Sequence, residues 1–277
     1  MRSILPRRLK SRVLVIACAL AVPLAVLPLL AIVWTVAVRG AAALDANLFT
    51  QPPVPLGAAG GGLLHALSGS GLLAGFGLLM ALPFALLTGL YLAEYGDNAF
   101  GEALRAVIDL MGGLPAIVIG ILAYASLVQP TRHFSAWSGA AALGLMALPL
   151  IARRAERVLR QVPRHLREAG FALGLPQWQV LQRIVWPVAR AGLAAGILTA
   201  LARIAGEAAP LLLTAFGNPD FNLQLNRPMA ALPTAIYRDA LTGSGGGHPL
   251  SWGAALILCA GVFALNLAAR ARMRPRT

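Results

Sequence analysis

Long uncharged runs constrain this chain more than any other feature. Val13–Val38 carries no charged side chain until Arg39, and about 20 apolar residues are enough to cross a bilayer as a helix. Further apolar runs lie near Leu72–Tyr91, Ala106–Val128, Ser138–Ala152, Val188–Phe216 and Ser251–Ala269; of these, Ser138–Ala152 is short and free to begin near Phe134. Lipid offers the backbone no hydrogen-bond partners, so only helices and closed barrels span it. Barrel strands would alternate in polarity over about 10 residues, and these runs do not. Only 12% of the residues are charged, against roughly 25% in soluble domains. The expected fold class is all-α: a polytopic helical membrane protein with six transmembrane helices.

The formal net charge of +13 could suggest nucleic acid, but its placement argues for topology instead. Arg2, Arg7, Arg8, Lys10 and Arg12 precede the first run. Arg153, Arg154, Arg157, Arg160, Arg164, Arg167 and Arg183 gather between the fourth and fifth runs, and Arg270, Arg272, Arg274 and Arg276 end the chain. Six spans put all three clusters on one side, which the positive-inside rule makes cytoplasmic. Both termini are therefore expected in the cytoplasm of a multi-pass plasma (inner) membrane protein, with lipid and not nucleic acid as its surroundings. The N-terminus resembles a secretory signal, yet Val13–Val38 exceeds the roughly 7–15 apolar residues of such a signal, so a retained first span is expected. The expected organisation is an N-terminal span with an outer loop (1–62), a core of the remaining spans (63–270) and a basic cytoplasmic tail (271–277). Cys18 and Cys259 read as small buried apolar side chains, and Gly71/Gly75 and Gly192/Gly196 as close helix contacts. The four histidines show no metal-ligand spacing.

Arg203 and Glu207 sit in the fifth run, where charge is least welcome. An arginine at mid-bilayer costs about 2.5–3.5 kcal/mol on insertion scales. Four positions apart on a continuous helix, the two would share a face with Gly192, Gly196, Thr199 and Pro210. Two readings follow: a buried bridge that locks helices, or a polar stripe along a solute path. Arginine suits the second, since its fixed planar donors match phosphate-like oxygens. Gly206 and Pro210 weaken the helix beside the charges. Asp109 is either interfacial or part of such a path.

"REAGFALGLPQWQVLQRIVWP", Arg167–Pro187, reads as two short helices at an angle. Gly174 can take the positive φ that ends the first helix, and Pro176 can begin the second. Trp178, Leu181, Ile184 and Val185 give the second an apolar face. Such a knob suits a groove on a partner; the alternative is a connector lying on lipid headgroups.

The same segment resembles the EAA loop of ABC importer permeases. Glu168, Ala169, Gly174, Ile184 and Pro187 match its spacing, while Gly170 and Trp186 stand where Ala and Leu are usual. "ARIAGEAAPLLLTA", "GLYLAEYGD", "GGLPAIVIGILAY" and "MAALPTAIY" are similar to segments of the PstA-type permeases of phosphate ABC transporters. The resemblance implies the ABC type I importer permease fold and a non-enzymatic transport subunit for inorganic phosphate. It further implies a second, PstC-type permease, a cytoplasmic ATPase dimer and an external phosphate-binding protein. In that family the span-five charges line the phosphate path, here Arg203 and Glu207, and Glu168–Pro187 would couple to the ATPase. No P-loop is present, since the sole lysine, Lys10, follows Leu9. No cofactor is expected in this chain, with ATP and Mg bound by the ATPase. The alternatives are a permease for sulfate or molybdate, or a membrane scaffold without a solute path.

Overall fold

A computed structural model describes residues 5–52, 61–241 and 249–273. Arg2, Arg274, Arg276 and His248 lie outside the described residues. All regular elements among those described are helical. The long α1 (Leu5–Ala41) and short α2 (Ala46–Thr50) precede α3 (Leu64–Glu94). Then come α4 (Ala99–Gly113), α5 (Ala116–Ala123) and, after a π-helical turn over Tyr124–Val128, α6 (Gln129–Thr131). The second half holds α7 (Ala136–Arg160), α8 (Arg164–Ala172) and α9 (Gln177–Val180). A second π-helical turn, Leu181–Val185, leads into α10 (Trp186–Ile204), followed by α11 (Ala209–Thr214), α12 (Leu232–Leu241) and α13 (Pro249–Met273). Among the described residues, five helices are long and apolar enough to cross a membrane, or six if the bent α4–α6 pair is one span.

The core lies where α3 meets α7, with α10 and α11 against them. Glycines let α3 and α7 approach. A Cβ on Gly77 would stand 2.7 Å from the Ala140 carbonyl oxygen, and one on Gly89 would stand 2.5 Å from the Ala155 Cβ. The outer end is closed by the chain after α11. Ala136 and Trp137 donate their backbone N–H groups to the carbonyls of Arg227 and Leu225, at 2.9 and 3.0 Å. Met229–Leu232 are buried there, and the Leu232 N–H donates to the Ser70 hydroxyl at 2.7 Å. This buried insertion is what "MAALPTAIY" builds.

Several expectations require correction. The third apolar run is not one straight span: α4 and α5 meet at 101°. Pro115 lacks an N–H, and Leu114 before it is extended at φ −67, ψ 135, as the residue preceding proline prefers. The fourth span continues to Arg160, so Arg153, Arg154, Arg157 and Arg160 belong to α7 and not to a loop. The fifth span starts at Gln177 and ends at Ile204, so the second knob helix is the foot of a long helix. Its π-turn has a physical cause. Pro187 offers no N–H and its ring crowds the carbonyl four residues back, and the Trp186 N–H reaches Leu181 instead. The same device precedes Pro130, where Gln129 bonds to Tyr124. Cys18 and Cys259 are exposed, not buried, because spanning helices turn apolar side chains toward lipid. Gly71 and Gly75 face open space, whereas Gly192 packs on Val158 and Gly196 on Arg154.

Candidate functional site

Arg203 stands in the last turn of α10. The helix stops there because Gly206 is poor in helices and Pro210 cannot donate to the next turn. The backbone N–H groups of Gly206 and Glu207 turn back to the carbonyls of Arg203 and Ile204, at 3.3 and 3.2 Å. A new helix, α11, starts at Ala209 with Pro210 in its first turn. Pro210 seats against Gly120 of α5, where an added Cβ would stand 2.8 Å from the Pro210 Cα. Arg203 and Glu207 therefore do not share a helix face: the former ends α10 and the latter lies in the break. Among the described residues no ion pair joins them.

Arg203 opens onto a cavity of about 420 Å³ between α7, α10 and α13. Gly196, Thr199 and Arg203 line it, so three members of the expected polar stripe do lie together, while Gly192, Glu207 and Pro210 do not line it. Arg154 from α7 and Asn266 from α13 complete its polar wall. Sequence reading missed both. Arg154 was hidden in a basic cluster, and only the helical register of α7, which turns Arg154 about 100° from Arg153, separates the two. Asn266 was a single polar residue in an apolar run, and that was its only signal.

The second candidate surface is the knob. Gly174 takes φ +79, and its N–H and that of Leu175 close the end of α8 on the carbonyls of Phe171 and Gly170, at 2.9 and 3.2 Å. Gly170 is buried, and a Cβ there would stand 2.7 Å from Ile184 Cδ1 and 3.0 Å from Val180 Cγ2. The departure from the usual Ala thus brings α8 closer to the foot of α10. Glu168, Ala169, Pro187 and Trp178 are exposed, and Leu173 is 81% exposed. Val180 and Val185 are buried beneath. Of the apolar face read from the sequence, Val185 is thus buried and Leu181 and Ile184 partly so, while Trp178 stays at the surface.

A charged network anchors this knob to the helices above it. Arg167, next to Glu168, binds both carboxylate oxygens of Glu94 and donates to the Leu159 carbonyl at 2.9 Å. Arg160 binds Asp97 at 2.7 Å and the Leu92 carbonyl at 2.9 Å. Buried Glu156 receives Arg105 at 2.7 Å, Arg153 at 3.1 Å and Arg160 at 3.5 Å. Asp109 pairs with Arg153, which favours the interfacial reading of that aspartate. The hydrogen bond from Arg160, and then its charge, hold the Asp97 carboxyl below its ordinary value of 3.8.

Residues 81–273 match the family described as "Binding-protein-dependent transport system inner membrane component". The chain belongs to that family. The permease is 40% identical to the phosphate transport system permease protein PstA of Haemophilus influenzae, over 86% of this chain and 85% of that one. It is 36% identical to PstA of Yersinia pestis over 95% and 90%, and 37% identical to PstA 1 of Mycobacterium tuberculosis (strain ATCC 25618 / H37Rv) over 96% and 88%. Among solved structures, a bacterial alginate ABC transporter in complex with a pentasaccharide-bound periplasmic protein superposes with TM-score 0.63 at 15% identity, covering 96% of each chain. The MetNI methionine ABC transporter superposes with TM-score 0.58 at 20% identity, over 76% of this chain and 94% of that one. These likenesses establish the ABC type I importer permease fold.

Proposed function

We propose that this permease is the PstA-type subunit of an ATP-driven importer of inorganic phosphate. It forms half of the translocation path beside a second, PstC-type permease. An external phosphate-binding protein delivers the anion on the outer side. A cytoplasmic ATPase dimer, which binds ATP and Mg, engages the surface formed by Glu168, Ala169, Leu173, Gly174 and Trp178, with Ile184 and Pro187 supporting it at the foot of α10. The basic residues of α7, α8 and the two termini support a cytoplasmic position for that surface by the positive-inside rule.

The observation that carries this reading is the guanidinium of Arg203 on an open cavity inside a membrane span, at a helix break, without a carboxylate partner among the described residues. A charge held there at a cost of about 2.5–3.5 kcal/mol is expected to serve an anion. A scaffold without a solute path would need that charge sealed by a partner side chain. Glu207, in the connection between α10 and α11, would then serve as an acceptor for a protonated oxyanion or as a gate residue.

The test is uptake of labelled phosphate in cells lacking only this chain, restored by wild type. Arg203→Gln should assemble with the ATPase and restore no uptake. Normal uptake by that expressed variant would overturn the role of the charge. Competition by unlabelled sulfate or molybdate that matches competition by phosphate would move the substrate to another oxyanion.

A further inference from the structure

The cavity that holds Arg203 is lined by a second arginine, Arg154. Arg154 reaches it from α7 because Gly196 leaves the backbone of α10 bare. A Cβ on Gly196 would overlap Cγ of Arg154 and stand 3.2 Å from its Cβ. The aliphatic stem of Arg154 thus lies across α10, and the residue lines the same cavity as Arg203. Gly196 and Arg203 are two turns apart, about 10 Å along the helix, and long helical side chains lean toward the N-terminus. Arg203 therefore leans from the outer end of the cavity toward the level of Arg154.

The neutral groups between them narrow the ligand. The Thr199 hydroxyl donates to the Ala195 carbonyl at 2.8 Å, so its oxygen is left as an acceptor. The Asn266 amide donates to Val262 at 2.8 Å and retains its second N–H and its carbonyl oxygen. Two permanent cations, one committed hydroxyl and one carboxamide suit an oxyanion with two negative charges and one proton to give. Hydrogenphosphate has that pattern, and fully deprotonated sulfate lacks the proton.

We propose that Arg154 is a second anion-binding residue of the path, and that this cavity takes a tetrahedral dianion of the hydrogenphosphate class between Arg203 and Arg154. The inference rests on the importer reading above. Arg203 meets the anion first, and Arg154 draws it toward the cytoplasmic end. Shared between two cations on different helices, the anion can move on without either one holding it tightly.

The experiment uses the complete transporter, with both permeases, ATPase and binding protein, in proteoliposomes of zwitterionic lipid and of zwitterionic plus anionic lipid. Phosphate uptake and ATP hydrolysis are measured together for wild type, Arg154→Met and Arg154→Lys. Met keeps the stem against Gly196 and removes the charge. It should lower phosphate moved per ATP by about tenfold, the scale of one charge-assisted hydrogen bond, in both lipids, with hydrolysis within twofold of wild type. Lys should recover part of the loss. Uptake by Arg154→Met within twofold of wild type overturns the proposal. So does an equal fall in uptake and hydrolysis, which marks a structural role, and so does a loss confined to anionic lipid, which marks a headgroup site. Should Arg154→Met fail to assemble, Gly196→Ala displaces the same stem and must give the same fall per ATP; wild-type coupling in that variant overturns the proposal. Absence of phosphate uptake by wild type instead removes the importer reading beneath it, and full uptake by Arg203→Gln removes Arg203 as the partner cation and with it the proposed site.

Discussion

Removing the Glu156 carboxylate should loosen the whole end of the bundle that carries α8. Its side chain is only 9% exposed, and its partners Arg105, Arg153 and Arg160 are 23%, 28% and 40% exposed. Breaking a fully buried pair costs about 3–5 kcal/mol, and an exposed pair about 0–1. Partners this accessible keep some hydration, which places Glu156→Ala at about 2–3 kcal/mol. On the scale of soluble domains of this size, that lowers the melting midpoint by on the order of 5–10 °C. The assay is the fraction of detergent-purified permease that stays monodisperse after heating. Glu156→Gln keeps the volume and one acceptor, and should fall between. Asp109→Asn removes an ion pair whose acid is 65% exposed, so it should shift the midpoint by less than about 2 °C. A Glu156→Ala midpoint as close to wild type as that of Asp109→Asn would refute the reasoning that burial makes this carboxylate the hub.

Two further outcomes follow from the same geometry. Gly77→Ala, whose Cβ would stand 2.7 Å from the Ala140 carbonyl oxygen, should cost about 1–3 kcal/mol of thermal stability by overpacking, while Gly75→Ala, with nothing within 4 Å, should be neutral in the same melting assay. Asp97 has a depressed folded-state value, so its pairing with Arg160 contributes stability that is present above 3.8 and is lost as pH falls through the lower folded value. The difference in midpoint between wild type and Asp97→Asn should therefore stay constant from neutral pH down to about 5 and close only below 3.8.

The spans were legible in the sequence because lipid imposes one requirement, a long uncharged run, that single residues rarely defeat. Gly174 and Pro176 were legible for a similar reason, since each restricts the backbone wherever it stands. What escaped was register and continuity. A hydropathy run cannot say that Leu114–Pro115 turns a span by 101°, because Pro23, Pro28, Pro83 and Pro149 sit inside helices that continue. Proline breaks a helix only where no neighbouring structure re-satisfies the freed carbonyls. The same ambiguity put Arg203 and Glu207 on one face on paper, when Gly206 and Pro210 together end the helix between them. Arg154 and Arg153 are adjacent in sequence, yet one enters the cavity and the other binds Asp109 and Glu156.

The arrangement gives the knob two mechanical outlets. One is the 28-residue helical stretch from Gln177 to Ile204, about 40 Å long, which joins the foot of the knob to Arg203 without a break in the chain's helical course. Its π-turn is set by Pro187 and braced by Ile184 beneath Gly170. The other outlet is ionic: Arg167 to Glu94 and Arg160 to Asp97 tie α8 and α7 to the end of α3. In the proposed importer, a push on α8 from the ATPase must tilt α10 relative to α7 or break those bonds. Tilting slides Gly196 along the stem of Arg154, and the distance between the two guanidiniums changes with it. Coupling and anion passage would then be one movement, read at its cytoplasmic end by Glu94 and Asp97 and inside the membrane by Arg154 and Arg203.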